Sequence, residues 1–153
     1  MNSNTDSIEK QVFIKAPRKR VWRALTDQKE FGQWFRVKLV NGFAPGGRTS
    51  GQIQYEGYEH LRFEVTVEQF VPERLFSWRW VPNAIDAGKD YSGEVPTLVV
   101  FELEDAPGGT LLKVTESGFD KLPPERREQA YRGNEGGWAA QMQNIAQHVS
   151  NAP

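Results

Sequence analysis

Three side chains able to move a proton, Glu116, Tyr131 and Glu135, fall at or beside apolar-facing positions of this chain. Glu116 continues the alternation of Leu112 and Val114, so strand parity turns it inward. Tyr131 opens a helical stripe, and Glu135 lies on or beside that stripe, seven residues before Met142. An inward carboxylate must be paired, hydrogen-bonded or protonated, and in a pocket such a group can serve as general acid or base. The other reading of Glu116 is structural: the strand ends at Thr115, or an arginine such as Arg62, Arg79 or Arg132 pairs with it. Glu135 reads equally well as a solvated residue at the edge of the stripe.

Around these groups the sequence places an aromatic wall. Strand and helix periodicity turn Trp34, Phe63, Trp78, Trp80, Phe101, Trp138 and Met142 inward together with Glu116, Tyr131 and Glu135. Few polar groups among many apolar ones is the composition of a small-molecule pocket; rings that simply fill a core are the plainer alternative. The helix that carries Trp138 also contains Gly133, Gly136 and Gly137, each costing roughly 1 kcal/mol relative to Ala in a helix interior. Their presence suggests a helix that closes over a cavity. No Ser-His-Asp order, phosphate loop or carboxylate-rich metal motif is present; Gly46-Gly47 and Gly108-Gly109 read as turns. His60, at a strand start, and His148, near the terminus, read as surface residues. Neither a nucleophile, nor a metal site, nor a cofactor is expected.

Composition narrows the partners. The chain has 153 residues, 19 basic and 20 acidic, for a net charge of −1, without cysteine. That length fits one domain able to bury about two thirds of its unfolded surface, expected over residues 8–150 after a short tail of residues 1–7. Intermixed charges give no basic footprint for nucleic acid and no membrane-binding tail. Lack of cysteine excludes disulfides and thiolate chemistry, and without a signal peptide or long apolar run the expected location is cytoplasmic. The unusual feature is aromatic, with five Trp and nine Phe.

The elements that must position these residues are legible from period and punctuation. Ile8 to Ile14 alternates as a first strand; Ala16-Pro17 opens a short helix ending near Thr26-Asp27, and Asp27 caps a second from Gln28 to Phe35. Six strands are expected at Arg36 to Asn41, Thr49 to Tyr55, His60 to Phe70, Arg74 to Val81, Pro96 to Leu103 and Thr110 to Ser117, separated by Pro/Gly/Asn/Asp clusters. Asn83 to Glu94 is the longest loop. A final helix of roughly 25 residues, about 37 Å long, runs from Pro123-Pro124 to Val149 and is expected to cover the single apolar face of the sheet.

This order resembles the helix-grip fold of the START-like, or SRPBCC, superfamily, and within it the branch related to the C-terminal domain of the activator of heat-shock-protein ATPase. The resemblance rests on Ala16-Pro17 with Val21 to Asp27, Trp34-Phe35, Val71 to Leu75 leading into Phe76-Ser77-Trp78, and Asn134 through Gly137-Trp138. It implies an α+β fold: a curved seven-stranded antiparallel sheet around a long C-terminal helix, with two short helices after the first strand. Such a container hosts carriers, receptors, cyclases and chaperone cofactors, so three functions stay open. The first is non-covalent binding of a small hydrophobic or aromatic molecule by a carrier or sensor. The second is a cyclase or hydrolase using cavity carboxylates, and the third a chaperone cofactor or interaction module with a protein partner or homodimer.

Overall fold

The computed structural model describes residues 5–86 and 88–151. Seven strands form one antiparallel, curved sheet in the order β1-β7-β6-β5-β4-β3-β2. They are β1 (Ser7–Ile14), β2 (Val37–Leu39), β3 (Arg48–Ile53), β4 (Arg62–Val71), β5 (Leu75–Trp80), β6 (Thr97–Ala106) and β7 (Gly109–Ser117). Two short helices, α1 (Arg18–Thr26) and α2 (Gln28–Phe35), follow β1, and a 28-residue helix, α3 (Pro124–Asn151), closes the chain after a 3-10 turn at Phe119–Lys121. Alternation drives the strands: Phe63, Val65 and Val67, then Val99, Phe101 and Leu103, then Leu112, Val114 and Glu116 are all buried while most residues between them are not.

Local chemistry sets the helix limits. Pro17, with φ −69°, precedes the first helical residue of α1. The Asp27 carboxylate accepts from the backbone N–H of Lys29 and Glu30 at 3.1 and 3.0 Å, which starts α2 where a capping aspartate should. Arg36 ends α2 in the left-handed conformation, φ 62°. This takes Arg36 out of the expected strand, and β2 shrinks to three residues. Residues 5–7, expected in a tail, are docked instead. Ser7 pairs with Ser117, and the Asp6 carbonyl accepts from the N–H of Gly118 and Phe119 at 3.1 and 3.2 Å. Residues 1–4 of that tail lie outside the described residues.

Two covers, rather than one, close the apolar face of the sheet. α3 packs against β1, α1 and α2, and its Trp138 meets Phe101 on β6 with ring centroids 5.6 Å apart. Over β4 and β5 the cover is α2 and the segment after β2: Phe31 lies 5.7 Å from Phe63 and 5.9 Å from Trp78, and Phe43 lies 5.0 Å from Phe76. Length alone pointed to α3 as sole cover. The aromatic face of α2 is short but bulky, and three rings there occupy the space beneath the middle of the sheet.

Candidate functional site

The inward carboxylate of Glu116 is fully buried, yet among the described residues its hydrogen-bond partners include no arginine. Arg62 pairs with Glu64, Arg79 with Glu68 and Arg132 with Glu128, all on the surface. Four neutral donors from three elements surround Glu116. Oε1 accepts from Asn134 Nδ2 at 2.8 Å and Trp138 Nε1 at 2.7 Å, both on α3. Oε2 accepts from Trp80 Nε1 of β5 at 2.8 Å and Thr97 Oγ1 of β6 at 2.5 Å. Three of these groups can only donate toward the carboxylate, and four donors fill the lone-pair sites of an ionised carboxylate. Hydrogen bonds to a charged group contribute about 1.5–3 kcal/mol each. Four of them match the several kcal/mol that burial of one ion costs.

Three of the same donors form part of the wall of a cleft. Trp80, Asn134 and Trp138 line an opening of about 320 Å³ with Phe35, Tyr55, Gly137, Ala140 and Gln141. Trp80 and Trp138 lie 5.9 Å apart and tilted by 33°, and Phe35 stands 6.4 and 6.5 Å from the two. On α3 the wall residues Asn134, Gly137, Trp138 and Gln141 follow the three- and four-residue spacing of one helix face. A side-chain carbon at Gly137 would meet nothing within 4 Å, so this glycine leaves the groove open between Asn134 and Gln141. Phe35, Trp80 and Asn134 also border a second cleft of about 800 Å³, which runs over Phe63 and Val65 toward the loop between β5 and β6. A third, of about 800 Å³, lies between α2 and β2 among polar and charged side chains such as Lys29, Arg36 and Lys38, apart from every predicted site residue.

The loop that borders the second cleft is fixed to α3. Arg126, buried to within 8 % of its surface, binds the Glu94 carboxylate at 2.5 Å and the carbonyls of Pro82 and Asn83 at 3.0 Å each. Its guanidinium also sits 4.8 Å from the centre of the Tyr91 ring. Gly133 serves the same junction. A carbon added there would fall 2.7 Å from Asn83 Nδ2, which donates to the Gln129 carbonyl.

Of the ten side chains expected to line a pocket, the structure brings Glu116, Trp80 and Trp138 together at the smaller cleft, and Phe63 borders the larger one. Trp78, Phe101 and Met142 are instead packed in the core, ring against ring or against aliphatic neighbours. Trp34 is also core, its N–H donating to the Ala24 carbonyl at 2.8 Å. Tyr131 points to the far end of the helix, where its hydroxyl donates to the Ser7 carbonyl at 2.9 Å. Burial, and then the charge of Glu135, raise the Tyr131 phenol above its ordinary value. Glu135 itself is exposed, one helix position removed from the inward stripe. Gly136 is likewise open, so neither it nor Gly137 approaches the sheet closely. Sequence reasoning missed Phe35, Tyr55, Asn134 and Gln141 as wall residues, although the spacing of Asn134 and Gln141 about Trp138 carries the signal. Among the described residues no cluster of His, Cys, Asp and Glu could hold a metal, and no helix is long and apolar enough to cross a membrane.

Solved structures share this architecture. Protein MLL2253 of Mesorhizobium loti is 24 % identical with a TM-score of 0.76, the match covering 96 % of this chain and 98 % of that one. The Aha1 dimer of Colwellia psychrerythraea is 17 % identical, with a TM-score of 0.69 over 94 % of this chain and 95 % of that one. DynU16, a putative protein in the dynemicin biosynthetic locus, is 22 % identical with a TM-score of 0.72; the match covers 95 % of this chain and 47 % of DynU16. No curated protein matches the chain. The model of the activator of Hsp90 ATPase homolog 1-like family matches residues 15–150, and the chain belongs to that family, with its START-like fold.

Proposed function

We propose that this family member binds a small, flat, apolar molecule non-covalently in the cleft that Trp80 and Trp138 help to line, as a carrier or sensor would. The observation that carries this reading is the tie between wall and floor: both indole N–H groups at the cleft are held by one buried carboxylate. Rings fixed in this way lose little freedom when a ligand stacks on them, and so the ordering penalty of binding is small. The cleft volume of about 320 Å³ falls at the lower end of the range for small-molecule sites. The adjoining cleft gives a longer ligand room to extend beneath the β5–β6 loop. The likeness to DynU16, from a biosynthetic locus, is consistent with a small-molecule role. Glu116 stands behind the wall with its acceptor sites filled, so the reading assigns it to positioning the rings rather than to proton transfer.

Gly137 supplies the test. Gly137→Leu places a branched side chain in the open groove, whereas Gly137→Ala leaves most of it clear. Titration with prodan, a neutral naphthalene dye, is expected to give equal binding in wild type and Gly137→Ala and at least about tenfold weaker binding in Gly137→Leu, the equivalent of roughly 1.4 kcal/mol. Equal binding in all three, with unchanged melting temperatures, contradicts the cleft reading. Native mass spectrometry of protein from its own host, searching for a retained small molecule, identifies the ligand.

A further inference from the structure

We propose that the cleft selects for a ligand carrying a protonated nitrogen on a flat apolar body, an arylalkylamine in chemical class, and rejects anions. This inference rests on the binding reading above and adds the charge of what binds. Glu116 is buried beside the cleft with four neutral donors and, among the described residues, no cation paired with it, so its negative charge is spread by hydrogen bonds but not neutralised. The indoles of Trp80 and Trp138 and the amide of Asn134 bond that carboxylate and also line the cleft.

Each of these groups turns its positive end toward Glu116 and thereby its negative end elsewhere. Trp80, half-buried, is left with electron-rich ring surface for contact, the surface on which a cation is best held, while Trp138, 3 % exposed, backs it from the core. Asn134 commits its Nδ2 to a carboxylate that can only accept, which fixes the amide orientation and leaves Oδ1 to accept from a ligand. Among the described residues no charged side chain lines the smaller cleft itself, and the Arg36 guanidinium is engaged with the ring of Tyr55, 5.3 Å from its centre. Of the cations bordering the larger cleft, Arg48 and Arg62 share Glu64, Arg79 pairs with Glu68, and Lys89 sits 5.2 Å from the centre of the Tyr91 ring. A protonated amine matches all three features at once, by attraction to the buried carboxylate, by contact with the Trp80 ring and by donation to Asn134.

Three probes of one shape separate charge from fit: naphthylmethylamine, naphthylmethanol and naphthoate, titrated into the full chain by isothermal calorimetry at neutral pH. The expected order is amine tightest, alcohol about tenfold weaker and naphthoate without measurable heat. Gly137→Leu, checked by its melting curve, is expected to abolish binding of the amine. If the alcohol or naphthoate binds as tightly as the amine and Gly137→Leu still blocks binding, the charge inference is overturned while the cleft reading stands. If no probe binds, or Gly137→Leu leaves amine binding intact, both are overturned.

Discussion

Glu116 and Glu30 are both drawn away from water and both gather several hydrogen bonds, but their partners differ in kind. Glu30, on α2, is met by Arg20 and Arg23 of α1 and by His148 of α3 at 2.8–2.9 Å. Burial acts to raise the Glu30 carboxyl, and the hydrogen bonds from His148, Arg23 and Arg20 outweigh it, holding the group below its ordinary value. This carboxylate staples three helices at a site that water still reaches, with its side chain 18 % exposed. Glu116 instead joins β7 to β5, β6 and α3 through neutral donors in a site without water contact. A carboxylate held by cations is electrostatically closed and serves the fold. One held by neutral groups keeps its charge available to whatever lies beyond those groups, and here a cleft lies beyond them.

Substitution at the two carboxylates breaks the comparison most directly. Glu116→Gln replaces one oxygen with an NH₂ group that faces the donors of Asn134 and Trp138 in one orientation and that of Trp80, beside the Thr97 hydroxyl, in the other. It is expected to cost about 3–5 kcal/mol and to lower the melting temperature by roughly 10 °C, read by calorimetry and a denaturant midpoint. Arg126→Met is the next largest. It strands the Glu94 carboxylate, whose side chain is 8 % exposed, and should cost about 2–4 kcal/mol. Hydrogen exchange should show the β5–β6 loop opening while the Glu116 network stays protected.

Glu30→Gln is expected to cost about 1–3 kcal/mol at pH 7, with a pH signature. Because the folded value of Glu30 lies below the unfolded one, its contribution is complete above the ordinary Glu value of 4.5 and is lost as pH falls through the folded value. Melting curves of wild type and Glu30→Gln should therefore converge in acid. The smallest effect sharpens the reading of α3. Gly136→Ala, with open space around the new carbon, should stabilise by about 0.5–1 kcal/mol. Gly133→Ala must displace the Asn83 side chain from its bond to Gln129 and should gain less.

The periodic elements were readable in advance wherever a local signal fixed them. Asp27 as a cap and the apolar face Phe31, Trp34 and Phe35 place α2 at its observed limits. The inward alternation through Leu112 and Val114 places Glu116 correctly in the interior. What Glu116 touches was not readable, because its partners come from β5, β6 and α3, and charge pattern alone directs attention to arginines. The core aromatics misled for a related reason. Strand parity reports that Trp78 and Phe101 point inward, but not that Phe31 and Phe43 of distant segments pack against that inward face. Of the two readings of Glu135 the solvated one holds, because a single helix position carries it from the stripe into solvent.

The claim that a ligand stacks at the mouth of the fold, outside a filled aromatic core, is tested most directly through the five tryptophan indole N–H signals in a nitrogen-15 correlation spectrum. Naphthylmethanol added to saturation should move the signals of Trp80 and Trp138 through the ring current of the stacked probe and leave those of Trp22, Trp34 and Trp78 in place. Movement of Trp34 or Trp78 as large as that of Trp80, or no movement of any indole at saturation, would contradict the account.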